Sequence, residues 1–239
     1  MKRSLKKLLA LTALAISTSA YAQLEIQIGR TQPIGGFAKK TGFDQAGYAK
    51  QGTCFQLNAM GEDGDLKMTM SVFAGINKFD LDAYQPQFIE ANKASGKTYT
   101  RFEVGKYLNF GFTAGPEYRL QIGEKLVVPI RAHVGFQMMM PPLKFNAYYT
   151  ELSYFGGPAE ESYDNIGGNF VYEVLGLNYR LGSGLGYKLS GGTTLMARVD
   201  YNNRFLGGQM TYGNGEARST YPKKFTNIDF NIGFAFGFD

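Results

Sequence analysis

The only histidine in this chain is His133, and the only thiol is Cys54. A histidine acting as general base on a nucleophile needs a hydroxyl and an orienting acid within hydrogen-bond reach. Ser190, Asp200 and Asp229 are the candidates the sequence offers. No Gly-x-Ser-x-Gly nucleophile motif accompanies them. His133 sits in an alternating run with Arg131 and Gln137, two and four residues away, so on a strand all three side chains share one face. That placement reads as a hydrogen-bonding link among polar side chains, and no catalytic residue is assigned. A single cysteine excludes an intramolecular disulfide framework and a cysteine-cluster metal site. Cys54 itself reads as a packing thiol. Gly182-Ser183-Gly184-Leu185-Gly186 superficially resembles a phosphate loop. Neither Gly-Lys-Ser/Thr nor a helix follows, so it is read as a turn. The expectation is no cofactor, no metal and no enzymatic activity.

The chain has 239 residues, enough for one domain of ordinary size. Four of its 25 Lys and Arg lie in the first seven residues, and no Asp or Glu precedes Glu25. Without residues 1–22 the balance is 21 basic against 20 acidic residues, and the formal charge falls from +5 to +1. The basic character therefore belongs to the extension, which argues against a nucleic-acid partner. Glycine, at 31 residues, is about 13% of the chain, nearly twice the usual ~7%.

Lys2, Arg3, Lys6 and Lys7 precede an apolar run from Leu8 to Ile16, and Ala20-Tyr21-Ala22 follows. A basic region, a short apolar region and a small-x-small site form a secretory signal peptide, so the mature domain is read as residues 23–239. The apolar run is about half the ~20 residues that a spanning helix needs.

The mature chain alternates. Ile228, Phe230, Ile232, Phe234, Phe236 and Phe238 take one parity, and Asn227, Asp229, Asn231, Gly233, Ala235 and Gly237 take the other. A period of two marks a two-faced strand. Similar runs predict eight strands near 24–36, 51–61, 65–77, 101–121, 125–138, 169–181, 187–203 and 225–238. Short connections at 61–64, 123–124 and 182–184 alternate with long ones near 37–50, 78–100, 139–168 and 204–224. This is an all-β, up-and-down antiparallel barrel with both termini at the short-turn end. It is also the layout of outer-membrane barrels, which close because lipid cannot hydrogen-bond an open edge. Pro129 and Pro116 fall inside strands and call for local bulges. With no Trp, an interfacial girdle would use Tyr118, Tyr179, Tyr201 and Phe238.

On these strands the chain resembles the small eight-stranded outer-membrane barrels of the OmpA and OmpX kind, over residues 23–239. The last strand, with Phe230, Phe234, Phe236 and Phe238, is similar to the signal that the barrel assembly machinery reads, apart from the trailing Asp239. The resemblance implies a monomer in the outer membrane of a Gram-negative-type cell. Outer-membrane lipid, the assembly machinery and periplasmic chaperones would be its partners, with an extracellular ligand reached through the long loops. Architecture alone carries no function across.

Alternation does not say which face meets lipid. A lipocalin-like soluble barrel would put the apolar face inside. Glycines and charges of both signs on the polar face favour that face as the crowded interior. It carries Glu25, Lys67, Arg101, Glu103, Glu117, Arg119, Arg131, His133, Arg180, Arg198, Asp200 and Asp229. Buried charges of opposite sign should pair, with Arg131 and Arg198 expected against acids such as Glu117 and Asp229. Met138, Met139 and Met140 read as lipid-facing and rim packing. Phe145, Tyr148, Tyr149, Tyr154 and Phe155 in a long connection read equally as a contact surface, a self-packed loop or strand extensions. Three roles stay open: a plugged barrel with a structural or surface-interaction role, a narrow small-solute or ion channel, and an enzyme modifying lipid A.

Overall fold

The computed structural model describes residues 23–41, 47–61, 64–140, 142, 144–151, 161–165, 174–205 and 224–237. The proposed signal segment, Tyr154, Phe155 and Phe238 lie outside them. Eleven strands are described: β1 Gln23–Ile34, β2 Ala49–Met60, β3 Leu66–Phe79, β4 Lys97–Val104, β5 Tyr107–Ile122, β6 Leu126–Met140, β7 Phe145–Glu151, β8 Glu161–Asn165, β9 Val174–Lys188, β10 Thr193–Phe205 and β11 Lys224–Phe236. Two α-helices, α1 Gly35–Ala38 and α2 Leu81–Ala91, and a 3-10 turn at Lys93–Ser95 lie in long connections.

Eight strands close in the order β1-β11-β10-β9-β6-β5-β3-β2, every neighbour antiparallel. A row of paired residues leaving Leu24 passes Ala59, Met70, Ala114, Val134, Tyr179, Asn203 and Thr226. It re-enters β1 at Ile34, ten residues on. Such a stagger comes with tilted strands, and eight of them enclose a bore that side chains can fill.

The faces are inverted relative to a water-soluble core. Ile28, Ile130, Val134 and Ile232 are more than half exposed, whereas Glu25, Glu117, Arg131, Arg198 and Asp200 are buried. Phe230, Phe234 and Phe236 point outward on β11. Tyr118 is exposed, while Tyr179 and Tyr201 are half-buried with their rings tilted against one another, centroids 6.0 Å apart. The apolar-inside alternative is thereby overturned.

Several expectations need correction. The predicted strand 101–121 is two strands, and β4 leaves the barrel to pair with β7 in a separate sheet ordered β4-β7-β8. Arg101 and Glu103 are on that sheet, so they are not luminal; Arg101 lies over the Tyr148 ring, 4.0 Å from its centroid. Gly182-Ser183-Gly184 is not a turn. It runs mid-strand in β9, and the turn to β10 comes at Leu189–Gly192. Neither Pro116 nor Pro129 makes a bulge. The β5–β6 ladder lapses between Ala114 and Glu117, and the β6–β9 ladder between Val127 and Ile130, with register unchanged on both sides. The long connection 78–100 contains α2, capped by Asp80, whose carboxylate accepts from the Ala83 amide at 3.3 Å. Tyr84 and Phe88, four residues apart, share one face of α2 and are buried with Tyr48, Phe102 and Phe145. Phe145 therefore packs inward in the β4-β7-β8 assembly, while Tyr148 and Tyr149 lie beside Tyr163 and Tyr99.

Candidate functional site

Among the described residues, the bore is where the fold gathers reactive groups. Inward positions recur every second residue, so β5 contributes Glu117 and Arg119, β6 Arg131 and His133, β9 Arg180, β10 Arg198 and Asp200, and β11 Asp229. Arg131 grips Asp200 with two nitrogens, Nε at 2.8 Å and Nη2 at 2.5 Å. Arg198 does the same to Glu25, both contacts at 2.7 Å, and donates to Glu117 at 3.0 Å. Arg119 donates to the same Glu117 oxygen at 2.8 Å. Arg180 holds Asp229 at 2.8 Å and lies over the Phe73 ring. Lys67, half-buried, stands opposite Glu117 in the β3–β5 register. Of the two arginines and two acids named in the sequence analysis, Arg198 and Glu117 are in contact. Arg131 is instead paired with Asp200, over Gly182 of the intervening β9, and Asp229 belongs to Arg180. Register and stagger decide these partners, and neither can be read from spacing along one strand.

Paired fork-like contacts suit charges removed from water, because each guanidinium satisfies both carboxylate oxygens. Neutral side chains complete the set. Asn58 Oδ1 accepts from Gln56, Ser71 and Arg131. Asn231 donates to Asp200 at 3.4 Å and accepts from Cys54 at 3.1 Å. Asn58, Ser71 and Asn231 lie on the polar parity but carry no charge, so charge-based reading passed over them. Gly182 makes room for the central pair: a Cβ there would sit 1.9 Å from Asp200 Oδ1.

His133 is buried, with Nδ1 3.4 Å from Ser71 Oγ. Ser190 is exposed at the β9–β10 turn, and Asp200 and Asp229 are engaged by Arg131 and Arg180. The histidine, hydroxyl and acid that a hydrolytic site requires are not assembled around Ser190. Among the described residues no group of three or more His, Cys, Asp or Glu is placed to hold a metal.

Apolar side chains are buried toward both ends of the bore. Toward the short turns, Met60, Val127 and Met196 are buried. Toward the long loops, Phe37 of α1 is fully buried against Tyr107 and Phe225, with ring centroids 5.1 and 5.0 Å away. Met139 and Ala49 join this cluster, so Met139 faces inward and only Met138 and Met140 keep the outward parity expected of the three.

No family model matches the chain, and no curated protein sequence matches it. Solved structures do resemble it in fold. Neisserial surface protein A is 10% identical, with 91% of this chain and 97% of that one covered and a TM-score of 0.48. A major outer membrane protein from Thermus thermophilus is 14% identical, covering 91% and 99%, with a TM-score of 0.45. Ail, the attachment invasion locus protein of Yersinia pestis, is 13% identical, covering 91% and 99%, with a TM-score of 0.42.

Proposed function

We propose that residues 23–239, released from a signal peptide at 1–22, form an integral outer-membrane barrel with a closed lumen. Its work is done at the lipid-facing wall and at the long-loop end, in a structural or surface-interaction role, without catalysis. The observation that carries this reading is the inverted polarity, with branched apolar and aromatic side chains outside and ion-paired Arg, Asp and Glu inside. Lipid accepts such a wall and water does not. The side chains filling the bore support closure, and with it a role for the outer surface over one for the interior. At the long-loop end the β4-β7-β8 sheet presents exposed Tyr163 and Arg101, an aromatic surface with charges of both signs open to an extracellular ligand. The assembly machinery and periplasmic chaperones would deliver the chain, and it would stand as a monomer.

Planar-bilayer recording of the purified, refolded protein tests the closed lumen. Silence is expected, and steady single-channel steps would replace this reading with a narrow channel. Mass spectrometry of host lipid A with and without the protein tests the absence of catalysis. A modification that depends on the protein would overturn that part.

A further inference from the structure

We propose that the outer wall of the barrel carries, at its long-loop rim, a docking site for a phosphate-bearing lipid headgroup, built by Arg30, Lys78 and Lys106. The inference rests on the outward face being the lipid-facing wall, and it adds a class of lipid and a place. Charge is sorted by face. The four acids on the eight barrel strands, Glu25, Glu117, Asp200 and Asp229, are all buried in the bore. The outward parity carries the opposite sign. Arg30 on β1 follows Ile26 and Ile28 on that parity, and Lys78 on β3 follows Ile76. Lys106 continues the parity of Leu108 and Phe110, one residue before β5. All three cations are exposed, and among the described residues no hydrogen bond or ion pair engages their side chains.

Register brings them to one side of the barrel. Arg30 pairs with Thr53 of β2, and Thr53 pairs with Ile76 of β3. Lys78 therefore stands two residues beyond the row of Arg30, toward the long loops. The β3–β5 register pairs Ile76 with Leu108 and Asn77 with Tyr107, and its next step sets Lys78 opposite Lys106. Like charges directly opposite on neighbouring strands repel. No acid of the barrel strands shares their face. An anion supplied from outside would relieve the pair.

The surroundings select a phosphate carried on a lipid. A guanidinium and two ammonium groups make charge-assisted hydrogen bonds to phosphate oxygens. On the side of the short turns the next outward residues are Ile28, Ile76 and Leu108, an apolar surface for acyl chains. A ligand with phosphate above hydrocarbon matches both levels. A basic side chain on a lipid face is costly near the midplane and cheap at the interface, and a long stem lets the charge reach headgroup level. Basic residues beside a spanning segment attract anionic headgroups in the same way. A soluble polyanion would use the cations and leave the wall beneath them unused.

Native mass spectrometry of the refolded barrel in a neutral detergent tests this, with bis-phosphorylated lipid A as the probe. The unaltered protein should retain the lipid, and Arg30→Gln, Lys78→Gln and Lys106→Gln together should weaken retention by about tenfold or more. A control that loses the same charge elsewhere, Lys93→Gln, Lys125→Gln and Lys188→Gln, should retain it unchanged. Lipid A stripped of both phosphates should bind the unaltered protein poorly, a comparison that depends on no variant folding. The phosphorylated disaccharide without acyl chains should compete weakly. Equal retention by the rim variant, equal loss in the control, or indifference to the phosphates would overturn the proposal. Competition by the chain-free disaccharide at the concentration of lipid A would overturn it too, assigning the cations to a soluble polyanion. A protein that gives no displaced unboiled band in detergent defeats the membrane reading itself, whereas a displaced band with binding indifferent to these cations defeats the inference alone.

Discussion

Arg131 and Asp200 are fully enclosed, on β6 and β10 to either side of Gly182 in β9, and each answers the other's charge. Removing one partner leaves the other charged and buried, a loss of about 3–5 kcal/mol in comparable pairs. Arg131→Met should therefore lower the urea midpoint of the refolded barrel, while Arg131→Met with Asp200→Leu should recover most of the loss, since an apolar pair of similar volume strands no charge. If the double variant is no better than the single one, the bidentate contact is not what Arg131 contributes. Gly182→Ala probes the same pair from behind, because the new methyl must displace the Asp200 carboxylate. Overpacking of this kind costs about 1–3 kcal/mol, and a midpoint equal to that of the unaltered protein would show that the carboxylate has room to move. The members of this cluster were legible in the sequence, because a period of two places Glu117, Arg119, Arg131, His133, Arg180, Arg198, Asp200 and Asp229 on one face. Their partners were not. Pairing between strands depends on register and stagger, and no single strand records it.

At the scale of elements, each barrel strand is a two-sided wall, and the exposed side is a chemical requirement. Ile130 on β6 and Ile232 on β11 point outward near mid-strand. An Arg on a lipid face near the midplane costs about 2–4 kcal/mol. Ile130→Arg should reduce the folded, compact band on unboiled gels, whereas a charge at Asn146 on β7, outside the barrel, should be tolerated; equal tolerance of both would reverse the assignment of faces. Alternation made these strands readable, while the departures came from elements whose signal lies elsewhere. Inward glycines on β9 imitate a turn, although their work is to make space. Helix α2 was hidden in a connection defined only by its lack of alternation, and Phe37 carries no periodic signal. Helix α2 and the segment that carries Phe37 and Lys40 meet at Asp80. Burial alone would push its carboxyl up, but Lys40, Lys50 and the Ala83 amide outweigh burial and hold it below the ordinary carboxylate range. A depressed carboxyl adds stability in full above its ordinary value and loses it as pH falls through the folded one. The segment 35–41 should resist protease and amide exchange at neutral pH and loosen below about pH 4. Asp80→Asn should abolish that pH dependence, and an unchanged acid response in the variant would assign it to another group.

The whole molecule combines a wall suited to lipid with an interior of paired charge and apolar side chains buried toward both ends, and these features constrain one another. A closed eight-strand sheet leaves no edge to pair with a second chain, and its ladder runs round the ring apart from the lapses near Pro116 and Pro129 and an irregularity between Ala49 and Gly52. Its folded form is therefore compact and should survive mild detergent, while boiling breaks the ring and exposes the full chain. In cells the mature protein, beginning at Gln23, is expected in the outer-membrane fraction, with an unboiled gel band displaced from the boiled one. The apolar exterior makes this prediction severe. Ile28, Val134 and Ile232 are exposed on different strands, and an exposed apolar belt of this kind would drive association in water. A soluble, monodisperse periplasmic protein would contradict the inverted polarity on which the membrane assignment depends. Aggregated periplasmic protein, by contrast, would indicate a barrel that failed insertion. Detergent extraction with and without boiling tells these apart, because only the folded barrel returns the displaced band.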